Sequence, residues 1–148
     1  MREKMLGSEF ILPSIFERNS VRFRRIIGEI MKLKKGSKIY ISGRITDYDG
    51  YEALFECAEE RIRNLGYVPI NPVKVGKIIK VEKWEKEKSL PTYKEYIDAD
   101  IEALKDCDGI AALSGWIESN GAQLEMHYAD VTGLPKCSVL DLEEAEEE

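Results

Sequence analysis

Residues 109–132 constrain the fold more than any other stretch. A short apolar run, Gly109-Ile-Ala-Ala-Leu113, leads through a loop bearing Gly115 and Gly121 into a helical pattern over residues 122–132. Strand, glycine-bearing loop and helix in that order predict one half of a βαβ unit. The same grammar occurs upstream. Lys38-Ile-Tyr-Ile-Ser42 is short, β-branched and aromatic, and predicts the first strand. In residues 51–65, Leu54, Phe55, Ala58, Ile62 and Leu65 fall on one helical face, and Gly66 supplies the stop. Tyr67-Val-Pro-Ile-Asn71 predicts the second strand, closed by Pro72. Residues 91–107 predict another helix, with Thr92 as N-cap and Tyr93, Ile97, Ile101 and Leu104 as its apolar stripe. Lys136-Cys-Ser-Val-Leu140 predicts the last strand, after a turn marked by Gly133 and Pro135. Strands alternating with helices predict an α/β fold with parallel strands.

At 148 residues the chain is long enough for one domain with a real core. A net charge of −6 argues against a general nucleic-acid binder. Part of that charge is the run Glu143-Glu-Ala-Glu-Glu-Glu148, expected to be a solvated, frayed tail. Cys57, Cys107 and Cys137 are widely spaced without a CxxC, which reads as reduced thiols in a cytoplasmic protein. No apolar run approaches the roughly 18 residues of a membrane span. Arg2, Glu3 and Lys4 precede only a short apolar patch, so no signal peptide is expected.

Three domain segments follow: an N-terminal extension over 1–36, a domain over 37–142 and the acidic tail over 143–148. Within the extension, Gly7-Ser-Glu-Phe10 has the look of a restriction-site scar, and Met31-Lys-Leu-Lys-Lys-Gly36 that of a native start. Residues 14–33 are expected to form a basic amphipathic helix. Residues 73–90 alternate lysines and glutamates around Trp84. They predict an exposed loop or short helix over the strand ends, with a lid as one reading and Trp84 as a packing anchor.

Open α/β sheets bind ligands at the carboxyl edge of their strands. Four features converge there: the loop Gly43-Arg-Ile-Thr-Asp-Tyr-Asp-Gly50, Asn71 after the second strand, the loop over 114–119, and Glu125 one turn into its helix. The first loop offers the Gly43 backbone N–H, the Arg44 guanidinium and the Thr46 hydroxyl, groups that bind phosphate or hydroxyl. It is neither a GxGxxG nor a P-loop. Ser119 and Gly121 stand at a helix N-terminus, which favours anions. Asp100 lies beside the apolar stripe of its helix and can reach the same edge. Two carboxylates from different elements suit attack at an anomeric carbon. One is the nucleophile or ion stabiliser and the other handles the leaving group. With one histidine, His127, on another helix face and no tight cluster of ligands, no metal site is expected. Ser42 and Ser114 lack a neighbouring base, which argues against acyl transfer.

Tyr40-Ile-Ser-Gly-Arg-Ile-Thr46, Asn71-Pro72, Tyr96-Ile-Asp-Ala-Asp-Ile-Glu-Ala-Leu-Lys-Asp-Cys-Asp108 and Ser119-Asn-Gly-Ala-Gln-Leu-Glu125 together resemble the nucleoside 2-deoxyribosyltransferase superfamily. The resemblance spans residues 38–140 and is nearest to a small bacterial and phage branch. The 2′-deoxynucleoside 5′-phosphate N-hydrolases are more distant relatives. It implies a flavodoxin- or Rossmann-like doubly wound parallel sheet of four to five strands in three layers. It also implies a homodimer or higher homo-oligomer whose subunits complete each other's sites, with no cofactor.

By position, the resemblance makes Glu125 the nucleophile at C1′ of a (deoxy)ribose and Tyr40 the phenol that holds this carboxylate. Asp100 becomes the group near base and sugar that assists base departure. Ser119 and Gly121 lie near the sugar or 5′-phosphate, and Gly43, Arg44 and Thr46 frame the nucleotide. Arg44 departs from the proline or serine of relatives, and either favours a 5′-phosphate or obstructs the pocket. The expected partner is a nucleoside or its 5′-monophosphate, not a nucleic-acid polymer or a membrane. The expected reaction is N-glycosidic cleavage by hydrolysis or base exchange, with Arg44 tilting towards a 5′-monophosphate hydrolase. A non-catalytic nucleotide-sensing module of the same fold is the alternative.

Overall fold

The computed structural model describes residues 30–147. Four strands, β1 (Lys38–Ser42), β2 (Val68–Ile70), β3 (Gly109–Ala112) and β4 (Lys136–Ser138), form an all-parallel sheet in the order β2-β1-β3-β4. Helices α1 (Tyr51–Asn64), α2 (Pro72–Glu87), α3 (Tyr93–Lys105) and α4 (Asn120–Thr132) flank it. The result is a three-layer, flavodoxin-like α/β fold. Its strand order reverses between β1 and β3, the position where such sheets open a crevice for ligands.

Side chains of a strand alternate between faces. Ile39 and Ile41 point to the face covered by Phe55, Ala58 and Ile62 of α1. Tyr40 packs on the other face with Ile110 and Ala112 of β3, Leu104 of α3, and Ala122, Met126 and Ala129 of α4. β1 is paired on both sides and fully buried after its first residue, so its register fixes which of its residues α4 meets.

Three expectations change. First, residues 73–90 are not a loop or short helix; most of them belong to the 16-residue α2. Asn71 caps its start by accepting from the Val73 N–H at 2.9 Å, Pro72 occupies the first turn, and Lys88 at φ 56° ends it. α2 packs against α3, and Lys83 joins them through Glu95 at 2.6 Å. Trp84 is half exposed on α2 and does not anchor it.

Second, the acidic tail is pinned as far as Glu146. Ala145 is buried and donates its N–H to the Leu65 carbonyl at 2.8 Å. Glu146 N–H donates to Leu33 O, and Lys35 N–H to Glu146 O. Backbone pairing needs no apolar side chain, so the glutamates remain in water while the main chain seals the α1 face. Third, the expected helix over 14–33 lies largely outside the described residues. Its last residues are extended, with Met31 bridged to Leu142.

Candidate active site

α4 buries Ala122, Glu125, Met126 and Ala129, the i, i+3, i+4, i+7 stripe of an amphipathic helix. Glu125 is thus a carboxylate in an apolar stripe, 5% exposed. Burial of such a group requires hydrogen-bond partners. β1 supplies them. Tyr40 Oη donates to Glu125 Oε2 at 2.7 Å, and Ser42 Oγ donates to Oε1 at 2.7 Å. Each carboxylate oxygen therefore has its own hydroxyl donor. The two donors are two residues apart on one strand, so the pleat places both on the α4 side.

Burial pushes the Glu125 carboxyl up to about 8; the Ser42 and Tyr40 donors oppose the rise, and the nearby Asp100 charge adds to it. Asp100 is raised to about 7 by burial. Burial, and then the Glu125 charge, raise Tyr40 well above the usual phenol range, so it stays a donor. The two hydroxyls favour the charged form of Glu125 without overcoming its burial, and Asp100 has no such donor among the described residues. Both acids therefore hold their protons up to about neutrality.

Above the acids lies a cavity of about 570 Å³, within the roughly 300–1,000 Å³ of small-molecule sites. Glu125, Asp100, Gly43, Thr46, Ser119 and Gly121 all line it, as the sequence predicts. Ser119 also caps α4, accepting from the Ala122 N–H at 3.1 Å. Gly43 is tightly enclosed: a Cβ there would stand 2.9 Å from Leu113 Cδ1. Tyr40 lies beneath the cavity and reaches it through Glu125.

Two expected ligand contacts are elsewhere. Arg44 turns away from the cavity, pairing with Glu118 at 3.3 Å, donating to Asp47 O and stacking over Tyr48. A solvated carboxylate and a ring next to its own loop offer the guanidinium nearer partners than the pocket. It neither obstructs the cavity nor contributes a cation to it. Asn71 is buried and structural: its side chain caps α2 and donates to Glu59 Oε1 at 3.0 Å. Glu59, with Lys74 at 2.7 Å and Arg63 at 2.8 Å, ties α1 to the start of α2. These partners outweigh burial and lower its carboxyl to about 2.

Sequence reasoning missed Ser42 and, apart from Asp100, the α2–α3 wall. Ser42 carried a legible signal, since it is i+2 from Tyr40 on a strand. Val73, Gly76, Lys77 and Lys80 of α2, and Tyr93, Tyr96 and Ile97 of α3, complete the lining with Tyr51 and Glu52 of α1. Gly76 faces the Tyr96 ring of α3, and a Cβ there would stand 3.5 Å from it, in ordinary contact. Among the described residues, no group of three or more His, Cys, Asp or Glu could hold a metal ion. Likewise, no helix among them is long and apolar enough to cross a membrane.

The cavity thus presents two acids, Glu125 and Asp100, among aromatic and apolar side chains of α1, α2 and α3. Neither the curated proteins nor the solved structures contain a significant match to the chain. A protein-family model does match, over residues 37–137, which hold all four strands except the last residue of β4. With that match covering most of its length, the chain belongs to the family described as Domain of unknown function (DUF4406).

Proposed function

We propose that this protein cleaves the N-glycosidic bond of a nucleoside or nucleoside 5′-monophosphate, with chemistry of the nucleoside 2-deoxyribosyltransferase kind. One observation carries the reading: Glu125 is held on both oxygens by Tyr40 and Ser42 at the floor of an open cavity. Neither Glu125 nor Asp100 forms an ion pair among the described residues, so no cation neutralises either of them. A buried acid pair with displaced proton affinities, sited in a cleft, is the usual signature of acid–base chemistry.

In the proposed reaction the Glu125 carboxylate attacks C1′, and the bond from C1′ to the base nitrogen breaks. The electron pair leaves with the base, and Asp100 delivers the proton that neutralises it. A glycosyl ester on Glu125 results. Water then attacks C1′, its proton passes to Asp100, and the ester bond breaks to regenerate the Glu125 carboxylate. A second base in place of water gives exchange. Tyr51, Tyr93 and Tyr96 provide aromatic faces suited to a nucleobase.

The test is free-base release from ribo- and deoxynucleosides and their 5′-monophosphates. Release that falls by at least a thousandfold in Glu125→Ala is expected, as for loss of a covalent nucleophile. No release from any member of the panel rejects the reading and favours a nucleotide-sensing module.

A homo-oligomer belongs to the same proposal. Leu124 and Val131 of α4 are exposed two turns apart, and Ile78 and Val81 of α2 are exposed within one turn of each other. Light scattering is expected to give more than one chain per particle, and a monomer at micromolar concentration would refute it. None of the three cysteines is in a disulfide, and Cys107 and Cys137 are buried, which supports a reducing, cytoplasmic setting.

A further inference from the structure

α2 lends one of its faces to the cavity. A packing helix turns its apolar residues inward and its charges to water. In α2, Val75 and Ile79 are partly buried, Ile78, Val81 and Trp84 are half exposed, and the exposed lysines Lys77 and Lys80 line the cavity. Val73, Gly76, Lys77 and Lys80 follow the i, i+3, i+4, i+7 spacing of one helical face, so the whole face is given to the cavity. The two lysines are not equivalent. Lys77 is paired with Glu52, itself a lining residue, at 3.4 Å. Lys80, one turn further along at the mouth, makes no ion pair among the described residues. The cation expected from the sequence, Arg44, is spent on Glu118 outside the cavity.

Glu125 and Asp100 repel an anionic substrate whenever they are ionised, and a lysine of the lining that has no ion pair among the described residues offsets that repulsion. We infer that Lys80 reads a phosphoryl group on the substrate, so that the cavity takes a phosphorylated sugar, entering with its phosphate against α2. Lys77 and Glu52 hold each other beside it and set the edge of that subsite. The inference rests on the proposed glycosidic chemistry for what the sugar carries, but the anion contact has its own readout. A lysine contributes a mobile point charge and no fork, so the subsite tolerates some variation in phosphate position and weakens with salt.

The experiment is calorimetric titration of the full chain with ribose 5-phosphate and 2-deoxyribose 5-phosphate, each against the unphosphorylated sugar. Wild type, Lys80→Gln and Arg44→Gln are compared at low and high salt, with circular dichroism to check folding. The sugar phosphate should bind at least tenfold more tightly than the sugar. Lys80→Gln should remove most of that difference, Arg44→Gln should keep it, and 0.5 M NaCl should shrink it in wild type. Equal binding of sugar and sugar phosphate by wild type, including no binding of either at millimolar concentration, overturns the inference. So does a preference lost in Arg44→Gln and kept in Lys80→Gln. Base release measured on the same proteins separates the two claims. Lys80-dependent phosphate binding without base release rejects the glycosidic reaction and keeps the subsite. Base release equally fast from nucleosides and their 5′-monophosphates keeps the reaction and rejects the subsite.

Discussion

Ser42→Ala isolates what the hydroxyl clamp does to Glu125. The substitution removes one oxygen from a fully buried position on a strand held on both sides, so the backbone should not move. What is lost is a 2.7 Å hydrogen bond to Oε1. A hydrogen bond to a charged group is worth about 1.5–3 kcal/mol. The donor favours the ionised form, so its loss penalises the carboxylate by that amount relative to the acid. At 1.36 kcal/mol per pH unit, the Glu125 titration should move upward by about one to two pH units. In the native site burial has already taken this group to about 8. At pH 7.5 the variant should then hold about a tenth or less of the wild-type fraction of Glu125 carboxylate, and base release should fall in proportion. Tyr40→Phe, which keeps the ring and removes the other donor, should give a shift of the same sign and size. The assay is carbon NMR of protein labelled at the glutamate carboxyl carbon, with Glu125→Gln identifying the resonance. It requires no turnover, so it stands apart from the proposed reaction. An unmoved or lowered midpoint in Ser42→Ala would refute the view that the hydroxyls set the charge on Glu125.

Other consequences follow from the same groups. Glu125 and Asp100 have raised proton affinities in the fold, so the stability they contribute is complete below their ordinary carboxylate range and is lost as pH rises through about 7 and about 8. Thermal melts should therefore fall from pH 6 to pH 9, with less of a fall in Glu125→Gln; identical slopes would contradict this. Glu59 works in the opposite sense: its carboxyl is lowered to about 2, so its contribution is present above the ordinary carboxylate range and lost as pH falls towards 2. Glu59→Ala leaves Asn71 and Lys74 without their carboxylate, and should cost about 2 kcal/mol in urea unfolding at pH 7, shrinking at pH 3.

Much of the fold was legible because it rests on local periodicity. The β1 run, the α1 stripe ending at Gly66 and the Thr92 cap of α3 are each readable within a dozen residues; the structure keeps the strand, the cap with Glu95 completing a capping box, and the stripe except for Leu54, which is exposed. Glu125 and Asp100 were legible for a related reason: a carboxylate in or beside an apolar stripe conflicts with packing, and such conflict marks sites. α2 was hidden because its lysines and glutamates carry no inward apolar stripe; the helix is held by its cap, by Glu59 and by α3.

What the sequence by itself determined is the alternation of elements, the residues each would bury, and the carboxylates that could not be there for packing alone. What only the tertiary structure decided is which neighbours those groups meet. The parallel register of β1 and β3 brings Tyr40 and Ser42 under α4, more than 80 residues away in the chain. Competition among partners turned Arg44 to Glu118, gave Asn71 to the α2 cap and left Lys80 at the cavity mouth. Periodicity is a property of neighbouring residues and can be read along the chain. The partner a polar group chooses depends on every group within reach once the layers close, and that list exists only in three dimensions.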